Sequence, residues 1–207
     1  YAAATQYGGD LAIVGFMYST ARGNVTSITN LISNTGVIGS DVAGVGTARY
    51  LITACSYGED KGIFAFGSTN GNVSTSNLVS NTGVVATDVA NSGADQRRQA
   101  AGCEYGDDKG IFAYGSDSPG SHIATSNLVS NTGVIASDVT GVGNIRRALG
   151  ACSYGGDKGI FGFGVEVSTD IGVTNLVSNT GVVGTDVAAV GTARRGSAAC
   201  EYGGDKG

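Results

Sequence analysis

The sequence is poor in the residues on which most catalytic and metal sites depend. It contains one histidine, His122, and its four cysteines form no Cys-x-x-Cys pair. A serine or cysteine nucleophile needs a base that a partner residue holds in place, and a structural zinc site needs closely spaced Cys and His ligands. No such motif surrounds His122, so we expect no catalytic residue, no metal and no cofactor.

Long apolar runs and an excess of positive charge are also missing. No stretch of 18 apolar residues occurs, and the net charge is −5. A membrane-spanning helix needs about 20 consecutive apolar residues. An acidic chain gains nothing from counterion release when it meets a nucleic acid. We therefore expect neither membrane insertion nor a nucleic-acid partner.

Glycine, in contrast, is abundant, with 36 among 207 residues, whereas proline occurs once and tryptophan is absent. Such a glycine content without a collagen period often indicates disorder. Here the glycines recur at fixed places among Val, Ile and Phe, which is typical of turns in a β-sheet protein. The hydrophobic fraction of 41% is sufficient for one domain with a core.

The chain, 1–207, is interpreted as a single domain of tandem repeats. A tyrosine in the sequence Tyr-Gly-x-Asp, called here the repeat tyrosine, recurs at intervals of 50, 48, 49 and 48 residues. It is found at Tyr7, Tyr57, Tyr105, Tyr154 and Tyr202. The segments YGGDKGIFGFG (154–164) and TNLVSNTGVVGTDV (174–187) have close counterparts in the other repeats. We place repeats 1 to 4 at 1–49, 50–97, 98–146 and 147–194, with a partial repeat 5 at 195–207.

Each repeat is predicted to contain four short strands, a to d. Strand a ends at the repeat tyrosine, and in repeat 4 strand b is 159–164, strand c includes 173–177 and strand d begins at 182. The a–b and c–d links are tight turns in which Gly and Asn supply the positive φ that hairpins need, so neighbouring strands should be antiparallel. Four antiparallel strands in about 48–50 residues predict an all-β fold, a β-propeller with one four-stranded blade per repeat.

A β-solenoid is the alternative, but it stacks parallel coils and has no use for two hairpin turns per repeat. Strand a occurs five times and strands b to d four times each, and a closed four-bladed ring has no place for a fifth strand a. The chain is therefore expected to form part of a larger ring, in which stacking on neighbouring repeats is required for stability.

The order of these landmarks resembles the kelch repeat. An arginine precedes the repeat tyrosine by eight residues, and strand b ends in glycine; the arginines are Arg49, Arg97, Arg146 and Arg194. Phe-Gly or Tyr-Gly replaces the kelch double glycine, and the kelch tryptophan is absent. The segments quoted above are also similar to tandem repeats in proteins of marine phages and other aquatic viruses. This resemblance implies an attachment protein of the virion or tail, extracellular or on the virion, in contact with other virion proteins or copies of itself.

Other recurring residues are assigned structural roles. Each cysteine lies two residues before a repeat tyrosine, at Cys55, Cys103, Cys152 and Cys200. Since equivalent residues of adjacent blades rarely approach within the 7 Å that a disulfide needs between Cα atoms, we expect free thiols in packed strands. The Asp-Lys pairs of the a–b turns should bond their own backbone; calcium is the alternative, but most turns offer a single carboxylate. Those aspartates are Asp60, Asp108, Asp157 and Asp205.

A second set of aspartates near the end of each repeat leaves two interpretations open. They either pair with the repeated arginines between blades or remain solvated, in which case they contribute little to stability. They are Asp41, Asp88, Asp138 and Asp186.

The links between strands b and c differ most among the repeats. In an up-and-down meander these links lie on one face together with the d–a links. That face is the expected binding face, because binding residues concentrate in loops on a rigid scaffold. Neutral drift is the alternative explanation of the variation. The predicted ligand-binding residues are Asn70, Asn72, Asp117, Ser118, Ser121, His122, Ser168 and Asp170.

These observations predict a non-enzymatic recognition or structural module that binds a protein or glycan surface. One alternative is a secreted lectin with one sugar site in each blade. The other is a glycan-active enzyme on a propeller scaffold, which requires paired carboxylates. Glu166 and Asp170 form the one such pair noted within a single link.

Overall fold

The computed structural model describes residues 2–19, 24–118 and 121–207, which contain strands, turns and bends but no helix. Accordingly, no helix in these ranges has the length and apolarity needed to cross a membrane. The strands of repeats 1 and 2 are β1 (Ala3–Tyr7), β2 (Leu11–Ser19), β3 (Asn24–Ile32), β4 (Thr53–Tyr57), β5 (Lys61–Ala65), β6 (Thr75–Val79) and β7 (Val89–Ala90). Those of repeats 3 and 4 are β8 (Ala101–Tyr105), β9 (Lys109–Ser118), β10 (Ser121–Val129), β11 (Gly150–Tyr154), β12 (Lys158–Gly162), β13 (Val165–Glu166), β14 (Thr169–Asp170) and β15 (Thr174–Val177).

Each repeat forms its own small antiparallel sheet. Repeats 1, 3 and 4 have the orders β1-β2-β3, β8-β9-β10 and β11-β12-β15, and repeat 2 has the order β4-β5-β6-β7. In repeat 2 the a–b hairpin pairs Tyr57 with Lys61 and Thr53 with Ala65. Gly58 and Glu59 both take positive φ in the turn between them, which is what a tight hairpin requires. The all-β, antiparallel prediction is confirmed.

Strand d is shorter than the sequence predicts. In repeat 4 it consists of two isolated bridges, in which Val183 pairs with Val177 and Val187 pairs with Thr174. Strand d has one residue more than strand c between these bridges, so it bulges, and a bulge interrupts the hydrogen-bond ladder. The bulge brings Asp186 back to the sheet, where its carboxylate accepts a 2.9 Å hydrogen bond from Nδ2 of Asn175.

Successive repeats lie side by side and are joined at both ends of strand a. After strand a, the Gly58 amide donates to the carbonyl oxygen of Asp108 in the next repeat at 2.7 Å. Before strand a, the Gln99 amide of repeat 3 donates to the Leu51 carbonyl oxygen of repeat 2 at 2.9 Å. Equivalent bonds join Gly8 to Asp60, Gly106 to Asp157, Gly155 to Asp205, Ala148 to Gln99 and Gly196 to Ala148. Two backbone ladders therefore fix the position of each repeat against the next.

The hydrophobic core lies between repeats. Each of three buried clusters combines one face of a repeat with a phenylalanine from strand b of the next repeat. Gly110 lies at the second of these interfaces, where an added Cβ would come within 2.6 Å of Sγ of Cys55. Strand b therefore requires glycine where the preceding repeat supplies cysteine. All four cysteines are free thiols.

A buried arginine reinforces the contact between neighbouring repeats. The fully buried guanidinium of Arg97 lies over the ring of Phe66 in repeat 2 and forms an ion pair with Asp138 of repeat 3 at 3.1 Å. Arg49 and Arg146 are equally buried and lie near Asp88 and Asp186. For Asp88, Asp138 and Asp186 the structure therefore shows the paired interpretation, whereas Asp41 accepts a 3.0 Å hydrogen bond from Nδ2 of Asn30. Burial lowers the pKa of Arg49 to about 10, although the Asp88 carboxylate opposes the shift, so the side chain remains charged at neutral pH.

The backbone where strand b ends directs an aromatic ring under this arginine. Phe66 has φ of 61° and Gly67 has φ of 105°, and both residues of the equivalent pairs Tyr114-Gly115 and Phe163-Gly164 also take positive φ. An L-residue in the left-handed region costs roughly 1–2 kcal/mol. The cation–π contact and the burial of the ring offset this cost.

Candidate functional site

The b–c links that were predicted as loops are hairpin extensions of strands b and c. Repeats 1 and 3 extend the pairs β2–β3 and β9–β10, and repeat 4 adds the short hairpin β13–β14. In repeats 2 to 4 the link begins beside the residue that follows a repeat arginine, through the bridges Tyr50–Ser68, Arg98–Ser116 and Arg147–Val165. Rigid strand backbone therefore positions the candidate binding residues.

The links of repeats 2, 3 and 4 contact one another in sequence. Nδ2 of Asn72 donates to the carbonyl oxygen of Ser116 in repeat 3 at 2.7 Å. His122 of repeat 3 lies 3.1 Å from the backbone nitrogen of Val167 in repeat 4, measured from Nδ1. The structure thus brings three of the variable links together on one side of the molecule.

His122 is buried at this junction, with 6% of its surface exposed. Nε2 lies 2.8 Å from Nε of Arg147, and Nδ1 faces the Val167 amide. Both neighbours are donors, and a neutral imidazole can accept at only one nitrogen. Burial and the Arg147 charge lower the pKa of His122. His122 therefore faces the next repeat and not the solvent, which the sequence of a polar link did not indicate.

The remaining predicted residues divide by exposure. Asn70, Asp117, Ser121 and Ser168 are exposed, whereas Asn72 and Asp170 are half-buried. Nothing is described of the Ser118 side chain, and Pro119 and Gly120 lie outside the described residues, as does part of the repeat 1 link. The exposed residues belong to the same links that the contacts of Asn72 and His122 join.

The two carboxylates proposed as an enzymatic pair are both engaged in contacts with neighbouring segments. Asp170 forms a 3.0 Å ion pair with Nε of Arg195, and Glu166 accepts a 3.3 Å hydrogen bond from Nδ2 of Asn144. A general acid needs a proton at a site that the substrate can reach. The contacts of these carboxylates indicate structural roles.

A second polar site, which sequence reasoning missed, lies along strand a. A cleft of about 310 Å³ is lined by strand a residues of repeats 1 to 4 and by the equivalent residues 199–201 of repeat 5, where the predicted strand a is not formed. The side chain before each repeat tyrosine lines it, at Gln6, Ser56, Glu104, Ser153 and Glu201. Oγ of Ser56 donates to the Glu104 carboxylate at 2.6 Å. The signal available in the sequence was that this position varies while its neighbours stay constant.

The carboxyl group of Glu104 lies half-buried in the cleft. Burial raises the pKa of this carboxyl group, the Ser56 hydrogen bond opposes the shift, and the Glu201 charge adds to it. The cleft can therefore donate and accept hydrogen bonds through its hydroxyl, amide and carboxyl groups. Within 2–19, 24–118 and 121–207, no group of three or more His, Cys, Asp and Glu side chains is placed to hold a metal ion.

No protein-family model matches the chain, and no curated protein matches its sequence.

Proposed function

We propose that this chain is part of a kelch-like β-propeller that recognises a protein or glycan surface through its b–c links and has no catalytic activity. The observation on which the function rests is the contact between variable links on a repeated scaffold. The links are anchored through Asn72 and His122, while exposed polar residues of the same links vary. Such an arrangement suits recognition, because polar side chains and bridging water can match a hydroxyl-rich surface.

The propeller architecture is supported by the shape of the strand a cleft. Five segments stacked in a straight row at the roughly 10 Å spacing of packed sheets would extend over about 40 Å. A single cleft of about 310 Å³ is nevertheless lined by strand a residues of repeats 1 to 4 and by the equivalent residues of repeat 5. Strands that curve around a common axis account for this more simply than a straight solenoid does.

The proposed setting is an attachment protein of a virion or phage tail, or another extracellular surface. Its support is the similarity of the repeats to those of aquatic viral proteins together with the small, polar binding surface. Such a surface gives weak affinity at a single site, so useful binding requires many copies displayed together. Other virion proteins, or copies of the same chain, would provide that display.

The test compares two faces of the same scaffold. Asn70, Asp117, Ser121 and Ser168 are replaced together by Ala, which leaves Asn72 and His122 in place. The control carries Glu59→Gly and Asp107→Gly in the a–b turns, where repeats 1 and 4 already have glycine. Both proteins are displayed as streptavidin tetramers on a glycan array.

We expect the link variant to lose binding and the turn variant to retain it. Loss of binding in the turn variant alone would show that the other face is the binding surface. Binding to no glycan in any form would argue against a glycan ligand and leave the protein surface as the proposed target.

A glycan-active enzyme is the second candidate, and the cleft favours it more than the b–c links do. A carboxyl group whose pKa is raised by burial, as that of Glu104 is, has the property of a proton donor in glycoside hydrolysis. Release of nitrophenol from aryl glycosides by the wild-type chain, and its loss in Glu104→Gln, would establish this activity. If the wild-type chain binds glycans but releases no nitrophenol from the aryl glycosides, the result would support the recognition module.

A further inference from the structure

One asparagine of the chain is followed directly by glycine. This pair, Asn70 and Gly71, lies in the b–c link of repeat 2, and both residues are exposed. It is flanked by Ser68 and Asn72, which form an antiparallel bridge. The side-chain amide of an asparagine can be attacked by the backbone nitrogen of the next residue, and glycine hinders the attack least because it has no Cβ. The pair therefore combines the sequence and the solvent access that spontaneous deamidation requires.

Asparagines at the repeated positions differ from Asn70 because hydrogen bonds hold their side chains. In the c–d turn of the same repeat, Nδ2 of Asn81 donates to the Asp60 carboxylate at 2.9 Å. In strand c, Nδ2 of Asn77 donates to the Asp88 carboxylate at 2.9 Å. Within 2–19, 24–118 and 121–207, the side chain of Asn70 forms no hydrogen bond with another residue. Its amide group can therefore turn towards the following nitrogen without first breaking a bond.

The backbone nitrogen of Gly71, which would be the nucleophile, is equally accessible. The turn is closed through the Gly71 carbonyl oxygen, which accepts from the Thr69 amide at 3.0 Å and from Oγ of Ser68 at 3.2 Å. In the part of the chain that the structure describes, the Gly71 N–H donates to no protein acceptor. An added Cβ at Gly71 would meet no atom within 4 Å, so no neighbouring segment covers this side of the turn.

We propose that Asn70 is a site of spontaneous deamidation. The Gly71 nitrogen, after losing its proton to hydroxide, attacks Cγ of Asn70 and forms the new N–Cγ bond of a succinimide ring. The Cγ–Nδ2 bond breaks, and Nδ2 takes a proton from water and leaves as ammonia, which regenerates hydroxide. Water then opens the ring at either carbonyl and gives aspartate or isoaspartate in place of asparagine. The reaction requires only water and base, and it does not depend on the proposed function.

The products change the link of repeat 2 in two ways. Both carry a carboxylate, so each adds a negative charge to an exposed turn. Isoaspartate also inserts one carbon atom into the backbone between Ser68 and Asn72, whose bridge fixes the position of Asn72. Nδ2 of Asn72 donates to the Ser116 carbonyl oxygen at 2.7 Å. The reaction therefore loosens the contact between the links of repeats 2 and 3.

The test follows the folded, full chain at pH 8.5 by mass spectrometry of its proteolytic peptides. We expect the mass increase that marks the replacement of NH₂ by OH to appear first at Asn70. Its rate should rise with pH, because the attacking nitrogen must lose its proton. Asn81 and Asn24 are internal controls, since both are exposed and are followed by threonine and valine. Methylation of the incubated chain by an isoaspartyl methyltransferase identifies the isoaspartate product.

The variant Gly71→Ala separates the effect of the glycine from that of exposure. Gly71 has φ outside the left-handed region and open space at its Cβ position, so alanine should leave the fold unchanged, as circular dichroism can verify. The added methyl group should slow deamidation of Asn70 by about tenfold or more, because it restricts the backbone that must close the ring. Hydrogen exchange of segment 68–73 should increase in the incubated wild-type chain and remain unchanged in the incubated variant.

Three outcomes would contradict the proposal. Conversion of Asn70 no faster than that of Asn81 and Asn24 would show that the Asn-Gly turn has no special reactivity. Conversion in guanidinium chloride but not in the folded chain would show that the turn protects its side chain. Unchanged hydrogen exchange at Asn72 after conversion would refute the loosening of the contact with Ser116.

Discussion

The guanidinium of Arg97 lies 4.6 Å from the centroid of the Phe66 ring in its own repeat and also forms an ion pair with Asp138 of the next repeat. Among the described residues, three more arginine–aromatic pairs of this kind occur, Arg49–Phe16, Arg146–Tyr114 and Arg194–Phe163. In the first three interfaces the arginine is fully buried, whereas Arg194 is exposed. The same contact thus exists in a desolvated and a solvated form within one chain, which allows its contribution to stability to be measured.

We expect Arg97→Ala to destabilise the chain by about 3–5 kcal/mol, since it leaves Asp138 and Asn127 without their buried partner and creates a cavity. The matched variant Arg194→Ala removes an exposed arginine from the same position of the repeat, and its effect should not exceed about 1 kcal/mol. Urea unfolding followed by circular dichroism measures both. Equal losses would mean that burial is irrelevant to the contact.

A second prediction concerns the fit of glycine to cysteine across the interface. Gly110→Ala places a methyl group against Sγ of Cys55 and should cost about 1–3 kcal/mol of unfolding free energy. Adding Cys55→Ala should recover part of that loss, because it removes the colliding sulfur. Gly162→Ala, at a position where repeats 2 and 3 already have alanine, should change stability by no more than about 0.5 kcal/mol. Additive losses in the double variant would contradict the clash.

Reactivity of the thiols provides a third prediction. Cys55, Cys103 and Cys152 are buried, and burial raises the pKa of each thiol, whereas Cys200 is exposed. Because the thiolate is the reactive form, Ellman's reagent should titrate one thiol in the native chain at pH 8 and four in guanidinium chloride. Cys200→Ser should abolish the native reaction. Rapid modification of three or four thiols in the native chain would show that the repeats separate readily.

Strands a to c could be predicted because each depends on local signals. Glycine and asparagine mark the turns, and Ile-Phe alternation marks strand b. The irregular pairing of strand d could not be predicted, because nothing in the sequence 182–187 marks the one-residue bulge before Val187. The positive φ of Phe66 is equally hidden, because aromatic residues rarely take that conformation.

The candidate site was harder to predict than the fold, because it depends on contacts between repeats. A lone histidine in a polar link is typical of a solvent-exposed residue, yet His122 is buried by Arg147 and Val167 of the next repeat. The cleft along strand a arises only when equivalent positions of five repeats are brought together. Glu104 belongs to that cleft, although within its own strand it resembles an ordinary exposed position.

The last prediction concerns acid sensitivity at His122. Arg147 and the Val167 amide contact the imidazole, while Glu166 and Asp117 act on it as more distant charges. Burial and then the Arg147 charge lower its pKa below the ordinary value of 6.5. The folded state therefore favours the neutral ring, and the unfolded state binds more protons as the pH falls below 6.5. The contribution of His122 to stability is complete above that pH and declines below it.

We accordingly expect the melting temperature of the wild-type chain to fall more between pH 7.5 and pH 5.5 than that of His122→Gln, which retains an acceptor but does not titrate. Both proteins contain the same carboxylates, so the difference between them reports the histidine. Hydrogen exchange should locate the loss of protection at the 121–125 segment and the β13–β14 hairpin. An identical decline in the two proteins would show that protonation of His122 does not weaken the contact between repeats 3 and 4.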